Sequence, residues 1–475
     1  MDNSHFTSLV FSIFSQLNQI PRPSHHEERV ADYLCRYARD LGLAYQRDAT
    51  DCVVIRKPAT PGHEAAEPVV LLNHMDMVAV GDGSRPFDPL ADGVEAYVED
   101  GWMKAHGTSL GADNGIGLSM ALAVLASDDL VHGPLEVLTT TNEEDGMTGA
   151  AALSADFIKG RKVINLDSED FDTITIGAAG AYLQTALFPA RPVPVPDGCT
   201  FLKTTVRGGA GGHSGVDIGK GRFNAVHGLC RLLSDSKEDL FIGFLHGGSA
   251  SASIATECTA VVGVGNRRAP LFRTQLSELF RALQHDFSDG DALRLDIEET
   301  EQPDGILAGR ALPACIAALP CGVIRMRDDL LGTVMTSNNI GVIRTLPEGI
   351  SLTCHTRSFS DEEMNQTAEA IGRALRSAGA GVRTTMCAPA WKENPESAFI
   401  RLTDNTFKEQ LGFAPRHVAM HFVLEAGYYV RTFPGIEIAC IGPRILSPHS
   451  AQERVELSTV SAICRVLTAL LEKMA

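Results

Sequence analysis

The apolar pattern changes period along the chain, and each change predicts an element. Val69, Val70, Leu71 and Leu72 form an unbroken apolar run that gives out at Asn73-His74. An apolar run without alternation marks a strand covered on both faces, so a strand is predicted over 69–74. Similar runs predict strands over 135–140 and 162–166. Residues 115–127, Gly-Ile-Gly-Leu-Ser-Met-Ala-Leu-Ala-Val-Leu-Ala-Ser, carry no charge and read as a buried helix, while 28–42 reads as an amphipathic one. Strand, helix and strand at this spacing predict an α/β domain whose mixed, mainly parallel sheet is flanked by helices.

The texture changes after Ala190-Arg191-Pro192-Val193-Pro194-Val195-Pro196-Asp197-Gly198, where alternating prolines favour an extended, irregular connection. Strand-like runs follow near 201–206, 258–265, 340–344 and 350–356, with helical stretches near 270–286 and 361–377. This pattern predicts an α+β domain with an antiparallel sheet and helices on one face. The tail, 456–473, reads as an amphipathic helix.

Composition narrows the function. A chain of 475 residues exceeds one ordinary core, so two domains are expected. The net charge of −18 repels phosphate backbones and disfavours a nucleic-acid partner. The start, Met1-Asp2-Asn3-Ser4-His5, has no basic and apolar leader pattern, and no apolar run reaches the length of a membrane span. The 11 cysteines contain no Cys-x-x-Cys, which fits reduced thiols and a cytoplasmic protein. Any metal site must therefore draw on His, Asp and Glu.

Such residues recur where the predicted strands end. His74 and Asp76 close the first strand and, two residues apart, point to the same side. Asp113 stands just ahead of the buried helix, Glu143 and Glu144 follow the second strand, and Asp167 follows the third. Ligands of an open α/β sheet sit beyond the carboxyl ends of its strands. Each residue has a plainer reading: Asp113 suits a helix N-cap, a Glu-Glu pair suits a solvated face, and a single His suits a surface or a satisfied core. Repetition on successive strand ends weakens those readings. Converging carboxylates repel, and a cation relieves that repulsion. Imidazole with carboxylates suits zinc, with manganese or cobalt as alternatives, and the surplus of ligands suits two ions sharing a carboxylate.

Five segments occur in order: His74-Met75-Asp76-Met77-Val78, Gly111-Ala112-Asp113-Asn114-Gly115-Ile116-Gly117, Asn142-Glu143-Glu144-Asp145-Gly146-Met147-Thr148-Gly149-Ala150, Asn165-Leu166-Asp167 and Pro448-His449-Ser450. Together they resemble the Xaa-His dipeptidases (aminoacyl-histidine dipeptidases). These are a branch of the dinuclear zinc peptidases that includes carnosinases, aminoacylases and tripeptidase T. The likeness runs from Ile20-Pro21-Arg22-Pro23-Ser24 to Glu453. The resemblance implies that His74, Asp113 and Asp167 ligate one zinc and that Asp113, Glu144 and His449 ligate the other, with Asp113 bridging. It implies that Glu143 is the general base acting on a metal-bridging water, and that Asp76 orients His74. It further implies a discontinuous catalytic domain, 1–180 with 386–475, and an inserted lid and dimerisation domain over 181–385, in a homodimer.

In the inserted part, His213 of Gly211-Gly212-His213-Ser214-Gly215 resembles the histidine that meets the tetrahedral oxyanion, from its own or a partner copy. Arg357 resembles the arginine that binds the substrate carboxylate. A flexible glycine loop and a strand-edge charge are their plain alternatives. Glu425 matches a position that meets the substrate ammonium, or serves structure. The segment Ser251-Ala252-Ser253-Ile254-Ala255-Thr256-Glu257 departs from the family's Arg-Asn-Ala-Ile-Pro-Arg-Glu, so Ala252 replaces an asparagine expected at the substrate. His421-Phe422-Val423-Leu424-Glu425-Ala426-Gly427 departs from His-Ala-Gly-Leu-Glu-Cys-Gly. The expected activity is metal-dependent hydrolysis of small unblocked dipeptides of the Xaa-His or β-alanyl-histidine kind. The alternatives are an N-acyl-amino-acid amidohydrolase with the same metals, and a metal-stabilised scaffold. A scaffold has no need of Glu143.

Overall fold

The computed structural model describes residues 3–190, 193–287, 292–328, 332–392 and 394–475. Two compact units divide the chain: Met1–Gly177, Glu393–Ala419 and Glu425–Ala475 form the first, and Ala178–Lys392 with Met420–Leu424 the second. Within the proline-rich stretch, Arg191 and Pro192 lie outside the described residues. The rest of it joins strands Gly180–Pro189 and Cys199–Arg207 inside the second unit, with Val193 bridged to Ile306. The composition break at the prolines is therefore a crossing within one sheet, and the units part earlier, at Gly177.

The first unit is built on an eight-stranded mixed sheet. Leu135–Thr140, Val69–His74, Lys162–Asn165 and Glu437–Cys440 are its parallel centre. Ala44–Arg47 and Val53–Lys57 add antiparallel on one side, and Thr173–Ala178 pairs antiparallel with Glu437–Cys440 on the other. Every residue of Val69–His74 and of Leu135–Thr140 is buried, which is why both read as unbroken apolar runs. Glu437–Cys440 enters the centre from far along the chain, and so the C-terminal segment belongs to this unit. Helix Ala112–Ala126 is buried along almost its whole length. Asn3–Leu17 and Leu457–Lys473 pack around it in the same apolar cluster, together with Phe399, Ile400 and Phe407 of Ala398–Leu411.

Helix and sheet approach closely at Gly117. A Cβ there would run into the Leu166 carbonyl oxygen and Asn114 Oδ1. Leu166 is next to Asp167, so this contact sets how near the helix start comes to that strand end. Overpacking such a site costs about 1–3 kcal/mol. Gly117→Ala is expected to lower the urea midpoint accordingly, and an unchanged midpoint would show that the helix is free to move away.

The second unit carries a ten-stranded sheet whose described pairings are antiparallel. Helices Ala225–Asp235, Ala269–Asp286 and Asp361–Ser377 pack on it. The last begins where expected because Ser360 caps it: its hydroxyl accepts the Glu363 amide at 3.3 Å, and Asp361, Glu362 and Glu363 line the first turn. Strands such as Cys199–Arg207 alternate buried and exposed positions. That alternation stops in Gly349–Ser358, where Cys354, His355, Thr356, Arg357 and Ser358 are all buried. Polar side chains are thus enclosed on both faces of one strand end.

Candidate active site

Three of the four strand ends of the parallel centre deliver side chains to one place. His74 ends its strand, Glu143 and Glu144 follow Thr140, and Asp167 follows Asn165. His74 Nε2 lies 3.1 Å from Asp113 Oδ1 and 3.3 Å from Asp167 Oδ1. His449 Nε2 lies 3.2 Å from Asp113 Oδ2 and 2.8 Å from Glu144 Oε2. Asp113 thus gives one oxygen to each imidazole.

Asp113 is not a helix cap. The cap position is Gly111, in the left-handed region at φ 68°, and Asp113 and Asn114 have non-helical backbones at the helix start. The Asp113–Asn114 peptide is cis. This irregular turn is held by a residue from the far end of the chain. The buried Glu453 carboxylate accepts the amides of Leu110, Gly111, Ala112 and Asp113 at 2.8, 2.8, 2.7 and 3.2 Å. The amides at a helix start are its unsatisfied donors and the positive end of its dipole, which suits an anion. Arg22, fully buried, donates to the carbonyls of Met75, Asp76 and Gly111 and ties the same turn to the His74 strand end.

Asp76 is buried at 0 % exposure and does two things. Its backbone oxygen lies 3.1 Å, and its carboxylate oxygen 3.3 Å, from His74 Nδ1. Two acceptors at Nδ1 keep a proton there and turn Nε2 toward Asp113 and Asp167. The same carboxylate accepts the amides of Glu143 at 3.0 Å and Glu144 at 3.2 Å, and the Ser24 hydroxyl at 2.8 Å. Glu27 accepts the Asn142 amide and steadies the same turn.

Burial pushes the Glu143 carboxyl well above the usual carboxylate range. Asp167, Glu425 and Glu144 add to this against the opposing pull of His74. Burial alone would raise Asp113 too, but its bonds to His449 and His74 carry it below the ordinary value. Hydrogen bonds to the Asp113 and Glu144 carboxylates hold the His449 imidazolium up at about 11. The site is therefore a knot of carboxylates in which two imidazoles stand in for positive charge. Glu144 Oε1 is buried without a hydrogen-bond partner. His74, Asp113 and Glu144 each offer a ligand atom within 4.8 Å of the others, so this donor set fits a divalent cation. Glu425 lies buried nearby, its Oε2 accepting from Thr140 and Tyr429 at 2.8 Å each, and burial raises it to about 8.

Residues 70–473 match Peptidase family M20/M25/M40. The chain belongs to this peptidase family. The cytosol non-specific dipeptidase of Escherichia coli K12 is 34% identical to it over 98% of this chain and 97% of its own. The crystal structure of aminoacylhistidine dipeptidase from Vibrio alginolyticus superposes with a TM-score of 0.89 at 33% identity, covering 98% and 96% of the two chains. Human carnosine dipeptidase 1 shares the fold, with a TM-score of 0.53 at 11% identity over 99% and 98% of the chains. The likeness to aminoacyl-histidine dipeptidases read from the motifs thus extends over the whole peptidase, which is a metal-dependent hydrolase.

In the second unit, Arg357 and His213 stand near one another through Ser214, whose hydroxyl accepts from Arg357 Nε at 3.4 Å. Arg357 is 4 % exposed, and burial lowers its guanidinium to about 10. The divergent segment lies against this spot: the Ser214 amide donates to the Ala252 carbonyl at 2.7 Å, and Ser253 bridges His213. Sequence reasoning passed over Arg22, Ser24, Glu27 and Glu453. Their signal is weak, because a buried arginine between prolines and a late glutamate look like surface residues until the backbone they hold is known.

Proposed function

We propose that the peptidase hydrolyses small unblocked dipeptides, Xaa-His and β-alanyl-histidine among them, with two divalent metal ions, zinc first. The division of the Asp113 oxygens between two imidazoles carries this reading. It supports one ion held by His74, Asp113 and Asp167 and a second held by His449, Asp113 and Glu144. When bound, the metals lower the pKa of water and polarise the substrate carbonyl. Asp76 fixes the His74 ring and pins the Glu143-Glu144 backbone. Glu143 takes a proton from water and passes it to the leaving amine. His213 donates to the oxyanion, Arg357 forks onto the substrate carboxylate, and Glu425 meets the substrate ammonium.

The second unit, expected over 181–385 and made of Ala178–Lys392 with Met420–Leu424, acts as lid and dimer surface in this proposal, which rests on the family resemblance. A monomer by light scattering would reject the dimer. No helix among the described residues is long and apolar enough to cross a membrane. Buried free thiols at Cys35, Cys52, Cys230, Cys258, Cys354, Cys440 and Cys464 support a reducing, cytoplasmic setting.

A hydrolysis panel on zinc-loaded protein tests the reading. It contains β-Ala-His, Xaa-His and other dipeptides, a tripeptide and an N-acetyl amino acid, each with and without chelator. Dipeptide cleavage that chelator abolishes and zinc restores is the expected result. Turnover of the acylated amino acid alone would move the chain to the amidohydrolase reading.

A further inference from the structure

The second unit gathers buried polar groups that no acid among its described residues matches. Arg357 makes no ion pair with a carboxylate among the described residues, and only burial shifts it. His355 stands two positions earlier on the same strand, hence on the same face, and is 5 % exposed. Neither of its ring nitrogens makes a well-formed hydrogen bond, and the Ser251 backbone gives the ring a weak partner. Ser337 pairs directly across from Arg357, and its hydroxyl meets His421 Nε2 at 2.8 Å. The other His421 nitrogen is buried without a partner. The positive charge of Arg357 depresses the protonation of both rings, on top of their burial.

A buried ring nitrogen without a well-formed partner costs about 1–3 kcal/mol, so three in one place mark a surface shaped for something else. Each neutral ring has one N–H to donate and one lone pair, Arg357 donates, and the fixed charge is positive. A cationic guest is repelled by Arg357, and an amide brings acceptors without charge. A carboxylate brings both. Side chains two apart on a strand stand about 6.5 Å apart. The two carboxylates of one acidic amino acid bridge that span with a hydrogen bond at each end.

We propose that His355, assisted by His421, is a specificity-determining residue that receives the side-chain carboxylate of a substrate whose C-terminal residue is aspartate or glutamate. This rests on the dipeptidase reading above, in which Arg357 takes the α-carboxylate.

The test compares isosteric pairs. For the native enzyme, kcat/KM of Ala-Glu over Ala-Gln, and of Ala-Asp over Ala-Asn, is expected to favour the acid by about tenfold or more. In His355→Leu the same ratio is expected to fall below about twofold. Equal values for acid and amide in the native enzyme, or an unchanged ratio in His355→Leu, would overturn the proposal. Calorimetry with free glutamate and glutamine gives a readout that needs neither turnover nor the variant. Glutamate binding native protein about tenfold more tightly than glutamine supports the receptor even if no dipeptide is cleaved, a result that would sink the dipeptidase reading alone. Equal affinities would remove the receptor and leave that reading standing.

Discussion

Glu143→Gln is expected to lower kcat by about 10²–10⁴-fold, the usual worth of a positioned general base. Glutamine keeps the shape and the neighbours but accepts no proton. The backbone of Glu143 is held by Asp76, not by its own side chain, so the turn stays in place. Metal content is expected to match the native protein, because the residue lies outside both proposed ligand sets. Stability is not expected to fall. The carboxyl sits among Asp167, Glu425 and Glu144, and removing one like charge relieves their repulsion. Steady-state kinetics, metal analysis and a thermal melt on the same preparation check all three. More than a tenth of native kcat in Glu143→Gln would remove it as the base.

The second large effect belongs to a residue that touches no substrate. Glu453→Ala is expected to destabilise the fold by about 3–5 kcal/mol, the cost of leaving buried, charge-assisted partners unmatched. Four amides from Leu110 to Asp113 lose their acceptor, and the buried Arg22 loses the first of the charges that offset its burial. The loss also frees the turn that carries Asp113. Residues that position a metal ligand are typically worth 10–100-fold in metal affinity, so zinc binding is expected to weaken by about that factor. Urea denaturation of the chelated protein separates the first effect from the second, which a zinc titration reads. Glu453→Gln, which retains a neutral acceptor, is expected to fall between the two. Native stability and native zinc affinity in Glu453→Ala would show that water replaces the carboxylate without cost.

Local pattern made much of the fold legible. Val69–His74 and Leu135–Thr140 are apolar throughout because both faces are covered, and such runs have no polar positions to blur their ends. Asp361–Ser377 starts at a capping serine with acids behind it, a signal written within four residues. The pattern predicts a start at 115 for helix Ala112–Ala126, three residues late, since Asp113 and Asn114 leave helical geometry within it. Helices Asn3–Leu17 and Ala398–Leu411 are not legible in the local pattern, as their faces are decided by packing: the first on Ala112–Ala126 and Leu457–Lys473, the second on Leu457–Lys473 and Glu437–Cys440.

The sequence by itself determined the chemistry on offer: imidazoles and carboxylates at strand ends, no cysteine-built metal site, and motifs whose order resembles one peptidase family. Strand periodicity is a local property, and so are the residue types that follow a strand. Tertiary structure alone decided the rest. It brought His449 to Asp113 across most of the chain, bound Glu453 to four amides, and moved Met420–Leu424 into the second unit. It also enclosed His355 and Arg357 on one strand face, where no carboxylate among the described residues pairs with Arg357. These depend on which distant segments meet, and a carboxylate that holds a turn has the same one-letter code as one that faces solvent.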